Sequence, residues 1–254
     1  METSKKDYFV LFVIFLFVFV IKAGLSFLMR GPFLFADEAC VIVKAVYFSE
    51  HLNMLPCASL TLAGDGDPFP LYSIVISPIY SFLSGMEAYY AVLIFNSFMV
   101  ALLVFPLYLI FKLFLKNKRI IFTYVITILF LSEVVIFEKM LMTEVMFIVL
   151  NVWFLYFYIG SFLKNKVRNK AMALLLAILA SISRPFGFIL PFSVAINEFV
   201  LSKDRKKTFP YLILAFVMFL FATMVMWKNL LPEVYERLLT LNQGDNFLLF
   251  LKAV

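Results

Sequence analysis

Apolar runs long enough to cross a lipid bilayer, separated by short basic clusters, constrain this chain more than any other feature. Residues 8–29, 88–115 and 140–163 each supply the ~20 apolar residues that a ~30 Å hydrocarbon core requires of a helix. None alternates as an outer-membrane strand would. A membrane segment must also satisfy its own backbone polar groups, so helices are the expected form. Composition supports this: 64% of the 254 residues are hydrophobic, 15% are charged and 33 are Phe. A soluble domain of this size has no use for so much apolar surface. The expected fold class is all-α, a polytopic membrane protein.

The same reasoning extends to seven spans, at about 8–29, 88–115, 120–137, 140–163, 171–183, 186–201 and 209–231. The first is too long for a signal-peptide core and lacks a small-residue cleavage site, so it reads as a signal-anchor helix. Residues 30–87 form the one long non-spanning loop. Within it, 71–83 is apolar but short and interrupted by Pro78, which predicts a helix lying at the interface. Residues 1–231 thus make a seven-span module, and 232–254 a short extracytoplasmic C-terminal segment. Net charge is +6, but the basic residues sit in loops, as at Lys116/Lys118/Arg119, Lys164/Lys166/Arg168/Lys170 and Lys203/Arg205/Lys206/Lys207. That spacing is a topology signal rather than a nucleic-acid surface. By the positive-inside rule it places the N-terminus and these loops in the cytoplasm, with the loop 30–87 on the opposite face.

Polar residues on that opposite face are the candidates for chemistry. Asp37 and Glu38 follow the first span closely, where a carboxylate could act as general base toward an acceptor hydroxyl or amide. The plainer alternative is a solvated acidic pair, or a cap on the helix starting near Ala36. Arg184-Pro185 forms the tip of a hairpin whose arms are short for the bilayer, so the guanidinium sits below the outer headgroups and needs an anionic partner. A lipid phosphate matches its fork geometry; Glu144 or Glu138 would serve as well. Glu144 shares a helix face with Asn151 and either lines a site or neutralises Arg184 or Lys139. Lys139 and His51 are counted with Glu144 as site-lining. Lys22, Glu133 and Asn96 read as helix-packing polar residues. His51 is the only histidine and no spaced His/Cys set exists, so zinc is not expected. Asp37, Glu38, Asp65 and Asp67 could supply oxygen ligands for a divalent cation, with Asp37 and Glu38 as weak candidates, but their spacing is not diagnostic. Cys40 and Cys57 both fall outside, where a disulfide is allowed in an oxidising compartment.

The order of these features resembles the C-type (GT-C) membrane glycosyltransferases that use lipid-linked sugar donors, and within them the dolichyl-phosphate-mannose protein mannosyltransferase-like branch. The resemblance rests on Ala36-Asp37-Glu38 after the first span and on Asp67-Pro68-Phe69-Pro70-Leu71-Tyr72 leading to Pro78 and Ser84-Gly85. Met142-Thr143-Glu144 and Ser183-Arg184-Pro185-Phe186-Gly187 complete it. Together the motifs cover about residues 8–230. The resemblance implies transfer of a sugar, such as mannose, from a polyprenyl-phosphate carrier to a glycan, lipid or protein acceptor, with inversion. It implies Asp37 as base with Glu38 beside it, Arg184 at the donor phosphate, and Glu144 orienting the site. No cofactor is implied, although a divalent cation is allowed.

The expected setting is a prokaryotic plasma membrane, with the lipid bilayer as partner and no nucleic acid. Relatives of this kind generally continue into further spans and an outer soluble domain, which leaves room for a partner subunit. Two rivals follow. One is a non-enzymatic polyprenyl-phosphate carrier or transporter subunit that uses Arg184 without a base. The other is an inactive partner of a larger glycosyltransferase.

Overall fold

The computed structural model describes residues 5–28, 36–52, 71–141, 143–164 and 167–201, together with Ile213 and Val217. The expected span at 209–231, apart from those two residues, and the segment 232–254 lie outside the described residues. So do residues 53–70 of the long loop.

Every element among the described residues is helical. In chain order these are α1 (Lys5–Leu28), α2 (Ala36–His51), α3 (Leu71–Phe82), α4 (Gly85–Ala101), α5 (Val104–Phe114), α6 (Lys118–Leu129) and α7 (Ser132–Glu138). Then follow α8 (Thr143–Lys164), α9 (Val167–Ser183), a 3₁₀ turn at Pro185–Phe188 and α10 (Ile189–Leu201). Three stretches are long and apolar enough to cross a membrane: Lys5–Leu28, Gly85–Phe114 and Thr143–Leu163. A fourth is formed if α6 and α7, which meet at 49°, count as one broken span. The chain is therefore a helical membrane protein with three to four candidate spans among the described residues. The segments expected at 171–183 and 186–201 form α9 and α10, of 17 and 13 residues. At 1.5 Å rise per residue these reach about 25 and 20 Å, less than a full hydrocarbon core.

Local sequence explains the breaks. Pro106 has no amide proton for the Leu102 carbonyl, and the α4–α5 rod is interrupted there; Phe105 N reaches Leu102 O at 3.3 Å instead. Pro78 would in the same way orphan the carbonyl of Ile74, but Ser77 Oγ donates to it at 2.8 Å, so α3 continues through its proline. Asn117 caps α6, its side chain accepting from Arg119 N at 3.0 Å.

The core forms where α1 packs on α4, through Leu11, Phe15 and Val18 against Val92, Leu93 and Val100. α8 packs extensively on α9, where Gly160 lets Asn169 approach closely. The helix predicted at 71–83 is present as α3. Rather than resting on a surface, it buries Tyr72, Ser73, Ile76 and Ser77 against α2 and α4.

Two polar layers bracket the apolar core. In one, Asp7 holds Lys118 and, at 3.6 Å, Lys112. In the other, Lys22, Glu138, Lys139, Ser26, Ser97 and Asn96 are all buried together. Lys22 lies fifteen residues beyond Asp7 on the same helix, so the layers are about 22 Å apart. That is less than a ~30 Å hydrocarbon core, so with one layer at a membrane boundary the other lies within the bilayer's depth.

Candidate functional site

The candidate residues gather where α2 begins, α7 ends and α9 ends. Glu38, in the first turn of α2, is fully buried. Its Oε1 accepts hydrogen bonds from the Tyr89 hydroxyl at 3.0 Å and from the backbone amide of Leu141 at 3.1 Å. Its Oε2 has no partner among the described residues, and neither does the buried hydroxyl of Tyr80. Burial pushes the Tyr80 phenol well above the usual tyrosine range, and the nearby Glu38 carboxylate adds to the effect. Tyr72 is raised mainly by burial, against a hydrogen bond of 2.7 Å to Asn96 that works the other way. Both phenols therefore stay neutral donors at any physiological pH. The backbone of Asp37 lies in the first turn of α2; its side chain is outside the described residues.

Two residues beyond Leu141, the α7–α8 turn opens α8 with Thr143 and Glu144. Arg184 reaches both: Nη2 pairs with Glu144 Oε1, and Nε donates to Thr143 Oγ1 at 3.2 Å. The guanidinium is 30% exposed and the carboxylate 17%, so the pair is sheltered but open on one side. Local backbone fixes the arginine. Arg184 N donates to Ala180 O at 3.1 Å, extending α9, and Gly187 N turns back onto Arg184 O at 2.9 Å. Gly187 packs so tightly that a Cβ there would fall 2.1 Å from Ala180 O.

Of the residues singled out from sequence, Glu38, Glu144 and Arg184 come together around the turn 141–144. Of the anionic partners considered for Arg184, the structure provides Glu144. Lys139 belongs to the same turn, but its ammonium points inward. It donates to Lys22 O at 2.6 Å, Ser26 Oγ at 2.8 Å, Ser97 Oγ at 3.0 Å and Glu138 Oε1 at 2.6 Å. His51 is not brought to the site. It lies thirteen residues along α2 from Glu38, about 20 Å away, exposed and stacked on Tyr47 at 4.3 Å. Glu133 is exposed and hydrogen-bonded to Ser132, outside the cluster of Lys22 and Asn96.

The sequence did not reveal Tyr89, the Leu141 amide or the pairing of Glu138 with Lys22. Glu138, considered from sequence as an anion for Arg184, is instead fully buried against Lys22. An unpaired lysine inside the first span was the available signal, since its anion had to come from another helix. Cys40 is buried and disulfide-bonded; the chain's other cysteine, Cys57, lies outside the described residues. No group of three or more His, Cys, Asp or Glu residues comes together among the described residues.

No protein-family model matches the chain, and neither a curated protein nor a solved structure shows significant similarity to it.

Proposed function

We propose that the chain is a membrane glycosyltransferase that takes a sugar, such as mannose, from a polyprenyl-phosphate carrier and inverts its anomeric configuration. One observation carries the reading. Glu38 at the start of α2, the Thr143–Glu144 start of α8 and Arg184 at the end of α9 converge on one turn. In the proposed reaction the acceptor oxygen attacks the anomeric carbon as the bond to the carrier phosphate breaks. Asp37 takes the acceptor's proton and Arg184 holds the departing phosphate, with Glu144 and Thr143 fixing the guanidinium. Glu38 holds the α2 end against Tyr89 and the Leu141 amide beside that base.

The proposal includes a seven-span topology with the N-terminus in the cytoplasm of a prokaryotic cell and the loop 30–87 extracytoplasmic. The acceptor is a glycan, lipid or protein, and a partner subunit is allowed. The test begins with the donor. Purified protein in nanodiscs is assayed for binding of radiolabelled polyprenyl-phosphate sugars and for label transfer to native membrane extract. Arg184→Ala should lower donor affinity by about tenfold to a hundredfold, the loss of a charge-assisted pair worth ~1.5–3 kcal/mol. Equal binding by the variant and wild type refutes the phosphate role.

A second reading has its own observation. Arg184 is already neutralised by Glu144, which suits an inactive assembly partner; a non-enzymatic carrier would use the same arginine as the enzyme. Donor binding without transfer would support the carrier, and neither binding nor transfer would support the partner.

A further inference from the structure

Among the described residues, the polar layer around Lys22 holds more positive charge than it can balance. Lys22 from α1 and Lys139 after α7 both contact a single carboxylate, Glu138, through its two oxygens. All three side chains are almost completely buried. Among the described residues, the other groups reaching the cluster are uncharged: Ser26 from α1, Ser97 and Asn96 from α4, the Tyr72 hydroxyl from α3 through Asn96, and the Phe130 ring 5.0 Å from the Lys22 side-chain nitrogen. The next carboxylate, Glu38 on α2, takes its hydrogen bonds from Tyr89 and the Leu141 amide and gives neither amine a direct partner. With ordinary protonation the cluster would carry one uncompensated positive charge inside a membrane bundle, which is strongly unfavourable.

Two remedies exist: an added anion or a missing proton. An anion needs free donors and space. Every side-chain nitrogen and oxygen of this cluster already has a protein partner among the described residues. A proton needs neither. We propose that Lys22, Lys139 and Glu138 form an intramembrane proton-binding site, in which the two amines together hold one proton fewer than two ammoniums. The proton belongs to the coupled pair rather than to one residue. On acidification a nitrogen lone pair takes up a proton, R–NH2 + H+ giving R–NH3+, and the layer becomes cationic.

The site is linked to the outer face. Asn96 donates to the carbonyls of Glu138 and Met140 and accepts from Tyr72, and the adjoining Leu141 amide holds Glu38. Charging the cluster therefore acts on the turn that carries Glu38 and Arg184's partners. The inference is independent of what that outer site binds.

The test is ¹⁵N solid-state NMR of lysine-labelled full-length protein in lipid bilayers, where neutral amine and ammonium side chains resonate apart. About one lysine equivalent of amine signal is expected at about pH 7, moving to the ammonium position as pH is lowered. Lys44→Arg and Lys112→Arg, each keeping its charge, remove the other two lysines buried among the described residues without touching the cluster, and the amine signal should survive both. If every lysine is an ammonium between about pH 7 and 9, or the signal vanishes in either control, the proposal is overturned.

Discussion

Replacing Glu138 by Gln puts the charge accounting of the bundle to its sharpest test. The side chain keeps its size and still offers an oxygen, but the carboxylate that both lysines contact is gone. Removing one partner of a buried ion pair costs about 3–5 kcal/mol, because the remaining charge stays desolvated. Here both lysines lose their shared carboxylate and the one ammonium charge between them is left uncompensated, so Glu138→Gln should cost about 3–5 kcal/mol. Lys22→Met breaks the same Lys22–Glu138 contact, yet it leaves Glu138 balanced against Lys139 and fills the space with a flexible apolar chain. Its cost should be smaller by about 2 kcal/mol or more, since Glu138 keeps Lys139 as its partner and no uncompensated buried charge is left. The assay is reversible unfolding in mixed micelles, with retained helical content as the check on folding. A Glu138→Gln protein as stable as Lys22→Met would show that charge balance does not govern this layer.

Gly187→Ala should displace Arg184, because the new Cβ meets the backbone oxygen of Ala180 at 2.1 Å and no flexible side chain can yield. The expected outcome is weakened donor binding with the bundle otherwise folded, read by the binding assay and circular dichroism. Glu38→Ala leaves the Tyr89 hydroxyl and the Leu141 amide buried without acceptors, at about 1–3 kcal/mol each. Tyr89→Phe removes only one donor and should cost about 1 kcal/mol, and unfolding midpoints of the two variants measure the difference. Ser77→Ala frees the Ile74 carbonyl beside Pro78, a loss of about 1 kcal/mol that should show as faster amide exchange in α3.

Hydrophobic run length made the helical membrane class legible, since α1, the α4–α5 rod and α8 follow directly from uninterrupted apolar residues. The breaks were harder to read. The proline at 106 sits inside a run whose hydropathy does not register it, and the bend between α6 and α7 falls at Leu131-Ser132 without a proline or glycine to mark it. In the candidate site, Glu144 and Arg184 were readable because ionisable groups inside apolar segments need partners. Glu38's partners were not. One is a backbone amide, which has no sequence signature, and the other, Tyr89, is one aromatic among many. His51, counted with Glu144 as site-lining, is on the same helix as Glu38, and a straight helix carries it about 20 Å away.

The account turns on whether the acid at the start of α2 does chemistry. The direct measurement is sugar transfer by Asp37→Asn, assayed beside wild type with the same radiolabelled polyprenyl-phosphate donors and membrane extract. Loss of a general base typically slows reaction by about 10²–10⁴-fold. A drop of that size, with donor binding and fold retained, is the predicted result. Transfer at the wild-type rate in a folded Asp37→Asn protein would contradict it.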